Sequence, residues 1–207
     1  MSLKTTNDHL IHPGISLNPT KRKARCLPNW RCKRVAQCEL CARIRRTYFI
    51  STATEFCRRW ALDAFATVSW PLSRNEEPWS KLRLCCGRLS RGGLYRIGKY
   101  VRVIAIGKSE TPHVHLLIRR EASTKLRHIA RRKGPPETRI AILPIDDVGG
   151  LLGYLFDQNG LPAMRRTDRP RRIRILSGSR GLRLGFPTKT QVSKLKNTYL
   201  IDWRTHS

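Results

Sequence analysis

Two apolar runs, Gly98 to Gly107 (GKYVRVIAIG) and Thr111 to Ile118 (TPHVHLLI), are separated only by a short polar turn through Ser109 and Glu110. So short a connection cannot cross over a sheet, so the runs must pair as neighbouring antiparallel strands. In the second run His113 and His115 stand two residues apart. Strand side chains alternate, so both imidazoles share one face while Val114 and Leu116 point into an apolar core. Pro112 biases Thr111 towards an extended conformation and marks the strand entry. Two imidazoles on one face are half a metal site; taken alone, they also suit a solvated sheet surface. His9, His12, His128 and His206 form no comparable cluster.

The remaining periodicities place this hairpin in a larger sheet. Ala64 to Trp70 (AFATVSW) alternates and ends at Pro71, which makes a first strand. Pro78 to Arg91 carries Trp79, Leu82, Cys86 and Leu89 at helical spacing, with Pro78 at a permitted early position. Ser123 or Thr124 opens a second helix with Leu126, Ile129 and Ala130 on its inner face, ending at Gly134-Pro135-Pro136. Thr138 to Leu143 (TRIAIL) is a further strand. The order βαββαβ is the split-βαβ, ferredoxin-like arrangement: an α+β fold with an antiparallel sheet, helices on one face and the histidines on a central strand. Arg171 to Leu176 (RRIRIL) would add a fifth strand.

A third helix is expected between Asp146 and Gly160. Pro144 precedes it, Asp146 or Asp147 is placed to cap it, and Asn159-Gly160 followed by Pro162 stops it. Tyr154 and Gln158, four residues apart, project from the same face. Gly150 and Gly153 weaken the helix beside that face, which suits the close approach of another backbone. Beside Leu151 and Leu155, Tyr154 would equally suit a core position.

Together, His113-Val114-His115 and the tyrosine helix resemble the HUH family of single-strand DNA nucleases, which includes rolling-circle replication initiators, relaxases and single-tyrosine transposases. The resemblance implies that His113 and His115 hold a divalent cation, Mn²⁺ or Mg²⁺. It also implies that Tyr154 attacks a DNA phosphate, leaving a 5′-phosphotyrosine and a free 3′-hydroxyl. A third ligand with an oxygen donor is implied as well. In the transposase branch it is a glutamine four residues after the tyrosine, matching Gln158, and Glu110 competes for the role. Replication initiators more often carry a lysine after the tyrosine; this helix has none. The chemistry agrees with the residue types, since a phenol is a poor nucleophile at its ordinary pKa of about 10 and needs a metal or base nearby.

Charge points to a polyanionic partner. The chain has 42 Lys and Arg against 14 Asp and Glu in 207 residues, a formal net charge of +28. Such a balance favours phosphate binding, whether to DNA, ribosomal RNA or an anionic membrane. Arg165, Arg166, Arg171, Arg172, Arg174 and Arg180 are the candidate DNA contacts. The segment Arg171 to Leu182 (RRIRILSGSRGL) looks like the post-tyrosine region of phage and plasmid initiators. An ordinary basic edge strand with a glycine turn reads the same way.

Seven cysteines and no apolar leader run suggest reduced thiols and a cytoplasmic location, in a bacterium or a phage-infected cell. Cys26, Cys32, Cys38 and Cys41 lie ahead of a basic helix that begins near Cys38 and runs through Arg43, Arg45 and Arg46. Only Cys38-Glu39-Leu40-Cys41 has a common zinc spacing, so a structural Zn²⁺ and plain thiols both remain open. The same cysteine-then-basic-helix order looks like the N-terminal part of some phage-type initiators. The expected organisation is a basic disordered arm (1–25), a cysteine segment with the basic helix (26–62), a nuclease core (63–185) and a tail (186–207). Residues 159–170 read as a flexible basic loop, and the tail holds a potential helix through Val192, Leu195 and Leu200. No Gly-x4-Gly-Lys-Ser/Thr phosphate loop is present, so strand separation and synthesis would fall to a host helicase and polymerase. No apolar run reaches the length of a membrane span. The function expected is therefore rolling-circle initiation on single-stranded or hairpin DNA at an origin. A single-tyrosine transposase of the same fold, or a catalytically inactive DNA- or RNA-binding protein, are the alternatives.

Overall fold

A computed structural model describes residues 38–107, 109–170, 172–184, 187–188 and 190–191. The chain forms two compact units, one spanning residues 50–184 and a second made of residues 1–49 with 185–207. Helix α1 (Glu39–Arg59) begins in the second unit and ends in the first. Within the second unit, Gln191 Nε2 donates to Tyr48 Oη at 3.1 Å. Cys26, Cys32, Arg171 and the expected tail helix beyond Gln191 lie outside the described residues.

The larger unit is an α+β fold built on a five-stranded antiparallel sheet. After α1 come β1 (Ala64–Ser69), α2 (Pro78–Arg91), β2 (Val101–Ile106), β3 (Pro112–Ile118), α3 (Ser123–Lys133), β4 (Arg139–Pro144), α4 (Val148–Leu155), α5 (Leu161–Arg165) and β5 (Leu176–Gly178). The sheet order is β4-β1-β3-β2-β5, with every neighbouring pair antiparallel. The first four strands match the ferredoxin-like order. β5 starts where the expected fifth strand ends, at Leu176; before it, Ile175 O accepts from Ile104 N at 2.9 Å.

Register assigns each residue to a side. Opposite His113 and His115 stand Ser69 and Thr67 on β1 and Ala105 and Val103 on β2, so these share the histidine face. Val114, Leu116 and Ile118 line the other face, all buried. Leu82 and Cys86 of α2 share a recess with Arg102 and Ile104, the residues of β2 that point away from the histidines. The crossover helices α2 and α3 therefore cover one side of the sheet, as expected. Helix also lies on the opposite side: the segment after α4 packs on β2 and reaches the histidines. The expectation of helices on one face alone is corrected accordingly.

The start of α2 is well determined. Glu77 caps it by accepting from Trp79 N at 2.9 Å and Ser80 N at 2.6 Å, and Pro78 occupies the first turn where no N–H is needed. Four positions later Lys81, only 7% exposed, donates to Glu76 at 2.9 Å and to Glu137 at 2.8 Å. This ties the helix entry to the turn before β4. No described helix is long and apolar enough to cross a membrane.

Candidate metal and nucleophile site

The tyrosine helix does not stop at Asn159-Gly160. Phe156–Gly160 forms a single π turn that passes directly into α5, with Leu161 N donating to Phe156 O. Pro162 explains the change of pitch. Proline has no N–H and its ring crowds the carbonyl four residues back, so a widened i→i+5 turn lets the helix run past it. Residues 161–165 are consequently helical, not a loop, and Asp147 sits at the N-cap of α4 without a side-chain capping bond. Gly150 has a different partner from the expected backbone: a Cβ there would collide with the Asp147 carboxylate.

The π turn changes which side chain reaches the histidines. In an α-helix Asn159 would stand about 140° round from Tyr154. The i→i+5 turn swings it towards that face and brings its amide onto the imidazoles. Asn159 Oδ1 lies 3.3 Å from His113 Nε2 and 3.2 Å from His115 Nε2. The two rings are 4.7 Å apart, edge to face. Gln158 is exposed, and its side chain makes no hydrogen bond with the described residues. Glu110 sits in the β2–β3 turn with a left-handed φ of 58° and gives both carboxylate oxygens to Arg166, at 2.8 and 2.9 Å. Of the three oxygen donors near this site, Asn159 is the one brought against the imidazoles.

Each imidazole is held by its second nitrogen. His113 Nδ1 lies 3.0 Å from Thr111 O. A carbonyl only accepts, so Nδ1 carries a proton and, in the neutral ring, Nε2 keeps its lone pair. His115 Nδ1 lies 3.0 Å from Thr67 Oγ1, and its ring stacks on Phe65 at 5.3 Å. Burial, reinforced by the neighbouring His113 and opposed by Asn159, pushes His115 down to about 4, so it is neutral near pH 7. Asn159 Oδ1 thus faces the lone pair of neutral His113 Nε2, while His115 has one N–H to give, either to Thr67 Oγ1 or to Asn159 Oδ1, and Asn159 Nδ2 is buried without a partner among the described residues.

A cation among these atoms would be met by His113 Nε2 and Asn159 Oδ1, and by His115 Nε2 in the tautomer that carries its proton on Nδ1. Metal bonds of about 2.1 Å at right angles set neighbouring donors about 3 Å apart, close to the spacings found here. A hydrogen bond from the far imidazole nitrogen to a carbonyl or hydroxyl is also the usual way to orient a metal-bound histidine. The donors fit a divalent cation, and the set is neutral, with two imidazoles and one amide. Among the described residues no group of three or more His, Cys, Asp and Glu is assembled as a metal site.

Burial grades across the histidine face. Val101, Val103 and Ala105 on β2 are at most 1% exposed, whereas Phe65, Thr67 and Ser69 on β1 are half-buried. Arg139, Ala141 and Leu143 on β4 are open to solvent. The Tyr154 ring, on α4, is 58% exposed.

The arginines chosen from sequence are dispersed. Arg166 is occupied by Glu110 and by Asp168, the latter at 2.6 Å, an arrangement that leaves it neutralised and holds Asp168 down to about 2. Arg172 and Arg174 open onto the α2 side of the sheet. Arg165 and Arg180 are exposed. Of the candidate zinc set, Cys38 and Cys41 are described, and both are buried. Sequence reasoning missed Asn159, Thr67 and Thr111. The one signal for Asn159 was Pro162, three residues further on inside an otherwise helical pattern. No family model, no curated protein and no solved structure matches the chain.

Proposed function

We propose that the chain is a metal-dependent, single-tyrosine DNA nicking and joining enzyme, acting as a rolling-circle replication initiator. The observation that carries this reading is the meeting of His113 Nε2, His115 Nε2 and Asn159 Oδ1, with an exposed phenol, Tyr154, on the helix that leads into Asn159. His113, His115 and Asn159 would hold the cation. A bound Mn²⁺ or Mg²⁺ supplies positive charge to a non-bridging phosphate oxygen.

The chain's own residues then have separable tasks. Thr111 and Thr67 fix the imidazole orientations. The Tyr154 oxygen attacks phosphorus, the bond from phosphorus to the 3′-oxygen breaks, and the phenolic proton ends on the departing 3′-hydroxyl by way of solvent. The product is a 5′-phosphotyrosine. The reverse attack by a 3′-hydroxyl releases the phenol and rejoins the strand, because a phenolate is a tolerable leaving group.

Labelled single-stranded DNA from the chain's own replicon, incubated with Mn²⁺ and then with chelator, tests the reading. A protease-sensitive covalent adduct should form with metal and not after chelation. Tyr154→Phe should lower adduct yield at least about 10³-fold while leaving DNA binding intact. An adduct that persists in that variant removes Tyr154 as nucleophile, and nicking unchanged by joint replacement of His113 and His115 with Ala rejects the metal site. A protein that binds but never forms the adduct is a catalytically silent nucleic-acid binder.

A further inference from the structure

On the side of the sheet away from the histidines, the two crossover helices carry charge of one sign. The crossover helices α2 and α3 contain no Asp or Glu. Yet α3 carries Lys125, Arg127, Arg131, Arg132 and Lys133 within 11 residues. Among the described residues, Lys81 is the only cation of these two helices that forms an ion pair. Leu126, Ile129 and Ala130 are buried, which turns Arg127, His128, Arg131 and Arg132 outward. Arg127 and Arg131 are one turn apart, so like charges repel along the exposed face and weaken the helix. Folding gains nothing from this pattern; a polyanion would relieve it.

Two further features extend the surface. At the end of α2, a Cβ on Gly92 would lie 2.8 Å from Lys133 Cγ. Glycine thus lets the last turns of the two helices meet, and both turns are basic, with Arg88 and Arg91 on α2 and Lys133 on α3. On the other flank of α2, Arg83, Arg102, Arg172 and Arg174 line a recess of about 240 Å³ floored by Leu82, Cys86 and Ile104. Arg102 is fixed there by donating to Ser177 Oγ at 2.8 Å. No carboxylate lines the recess.

We propose that this helix-covered side is a second nucleic-acid surface, which grips the phosphate backbone of a DNA duplex and seats one phosphate in the four-arginine recess. It rests on the function proposed above only in naming DNA as the polyanion. Single strands are gripped largely by stacking on aromatic rings, and the exposed face of α3 presents arginines instead. A lipid surface needs apolar anchors, which α3 keeps in the core. Guanidinium groups on a rigid helix suit backbone phosphates.

Fluorescence anisotropy with a DNA hairpin and with an unstructured single strand, across a salt series, tests the surface. The triple variant Arg127→Gln, Arg131→Gln, Arg132→Gln should bind the hairpin at least tenfold more weakly. Its log–log salt dependence should flatten by about 0.9 for each phosphate that the variant no longer neutralises. Arg83→Gln should weaken hairpin binding separately, through the recess. Single-strand affinity and adduct formation should stay within about twofold of wild type, and thermal melting confirms that each variant is folded. Unchanged hairpin affinity and salt slope in both variants would overturn the proposal. So would an equal loss of single-strand binding, or competition by polyglutamate or anionic vesicles as strong as by duplex. Loss of adduct with hairpin binding intact would instead count against the nicking function.

Discussion

Asn159 is the residue on which the proposed metal site turns. As an amide it brings an oxygen lone pair against the Nε2 atoms of both imidazoles and leaves its own Nδ2 buried with no partner among the described residues. At His113 Nε2 that contact is unfavourable without a cation and favourable with one. Asn159→Ala should therefore lower Mn²⁺ affinity by roughly ten- to a hundredfold, while costing the metal-free protein less than about 1 kcal/mol. Asn159→Asp should tighten binding, since a carboxylate adds charge to a neutral donor set. Calorimetric titration with Mn²⁺, paired with thermal melts of the metal-free variants, checks both. Were the amide turned round, Nδ2 would donate to both imidazoles and close the site, and Asn159→Ala would then destabilise the metal-free fold and leave Mn²⁺ affinity unmoved.

At the scale of elements, alternation and helical spacing made most of the fold legible. Every strand of the βαββαβ core falls within a few residues of its expected place, because the apolar patterns of β1, β2 and β3 are not interrupted. The tyrosine helix was harder. The four-residue rule pairs Tyr154 with Gln158, and nothing in the local sequence says that Pro162 will be accommodated by a wider turn instead of ending the helix. One residue of slip exchanged Gln158 for Asn159 at the histidines. Likewise Arg166 reads as a DNA-binding residue until tertiary structure brings Glu110, 56 positions away in the chain, against it.

The link between the entry of α2 and the turn before β4 carries a pH dependence. Ser73 and Lys81 hold the Glu76 carboxyl below its ordinary value, and Lys81 does the same for Glu137. Burial lowers Lys81, but Glu137 and Glu76 outweigh it and the net shift is upward. Depressed carboxyls contribute stability that is complete above their unfolded value near 4.5 and is lost as pH falls through the folded values. Lys81 stays charged throughout that range. Melting temperature should thus fall between about pH 5 and pH 3, and Lys81→Met should fall less steeply over the same window. At pH 7 the Met variant should lie within about 1–2 kcal/mol of wild type, because its apolar chain fills the buried stem's place. Thermal melts at a series of pH values read both effects.

For the whole molecule, the charge of +28 acts in opposite directions on two quantities. Self-repulsion opposes compaction, and added salt screens it over a Debye length of about 10 Å at 0.1 M. The free protein should melt higher as salt rises. DNA binding should weaken over the same series, by as much as about 10³-fold for six neutralised phosphates between 50 and 200 mM. Melting and anisotropy measured on one preparation would show the two trends crossing; parallel trends would mean that charge does not govern binding.

The graded burial across the histidine face has a kinetic meaning. The imidazoles sit where a dry wall on the β2 side gives way to an uncovered terrace on the β4 side, lined by Arg139, Ala141 and Leu143. A polymer with no free end can be laid onto such a ledge from the side, without threading and without a flap having to open first. For the nicking activity proposed above, which would have to engage a closed circle, that doorless threshold is the shape that would let it begin.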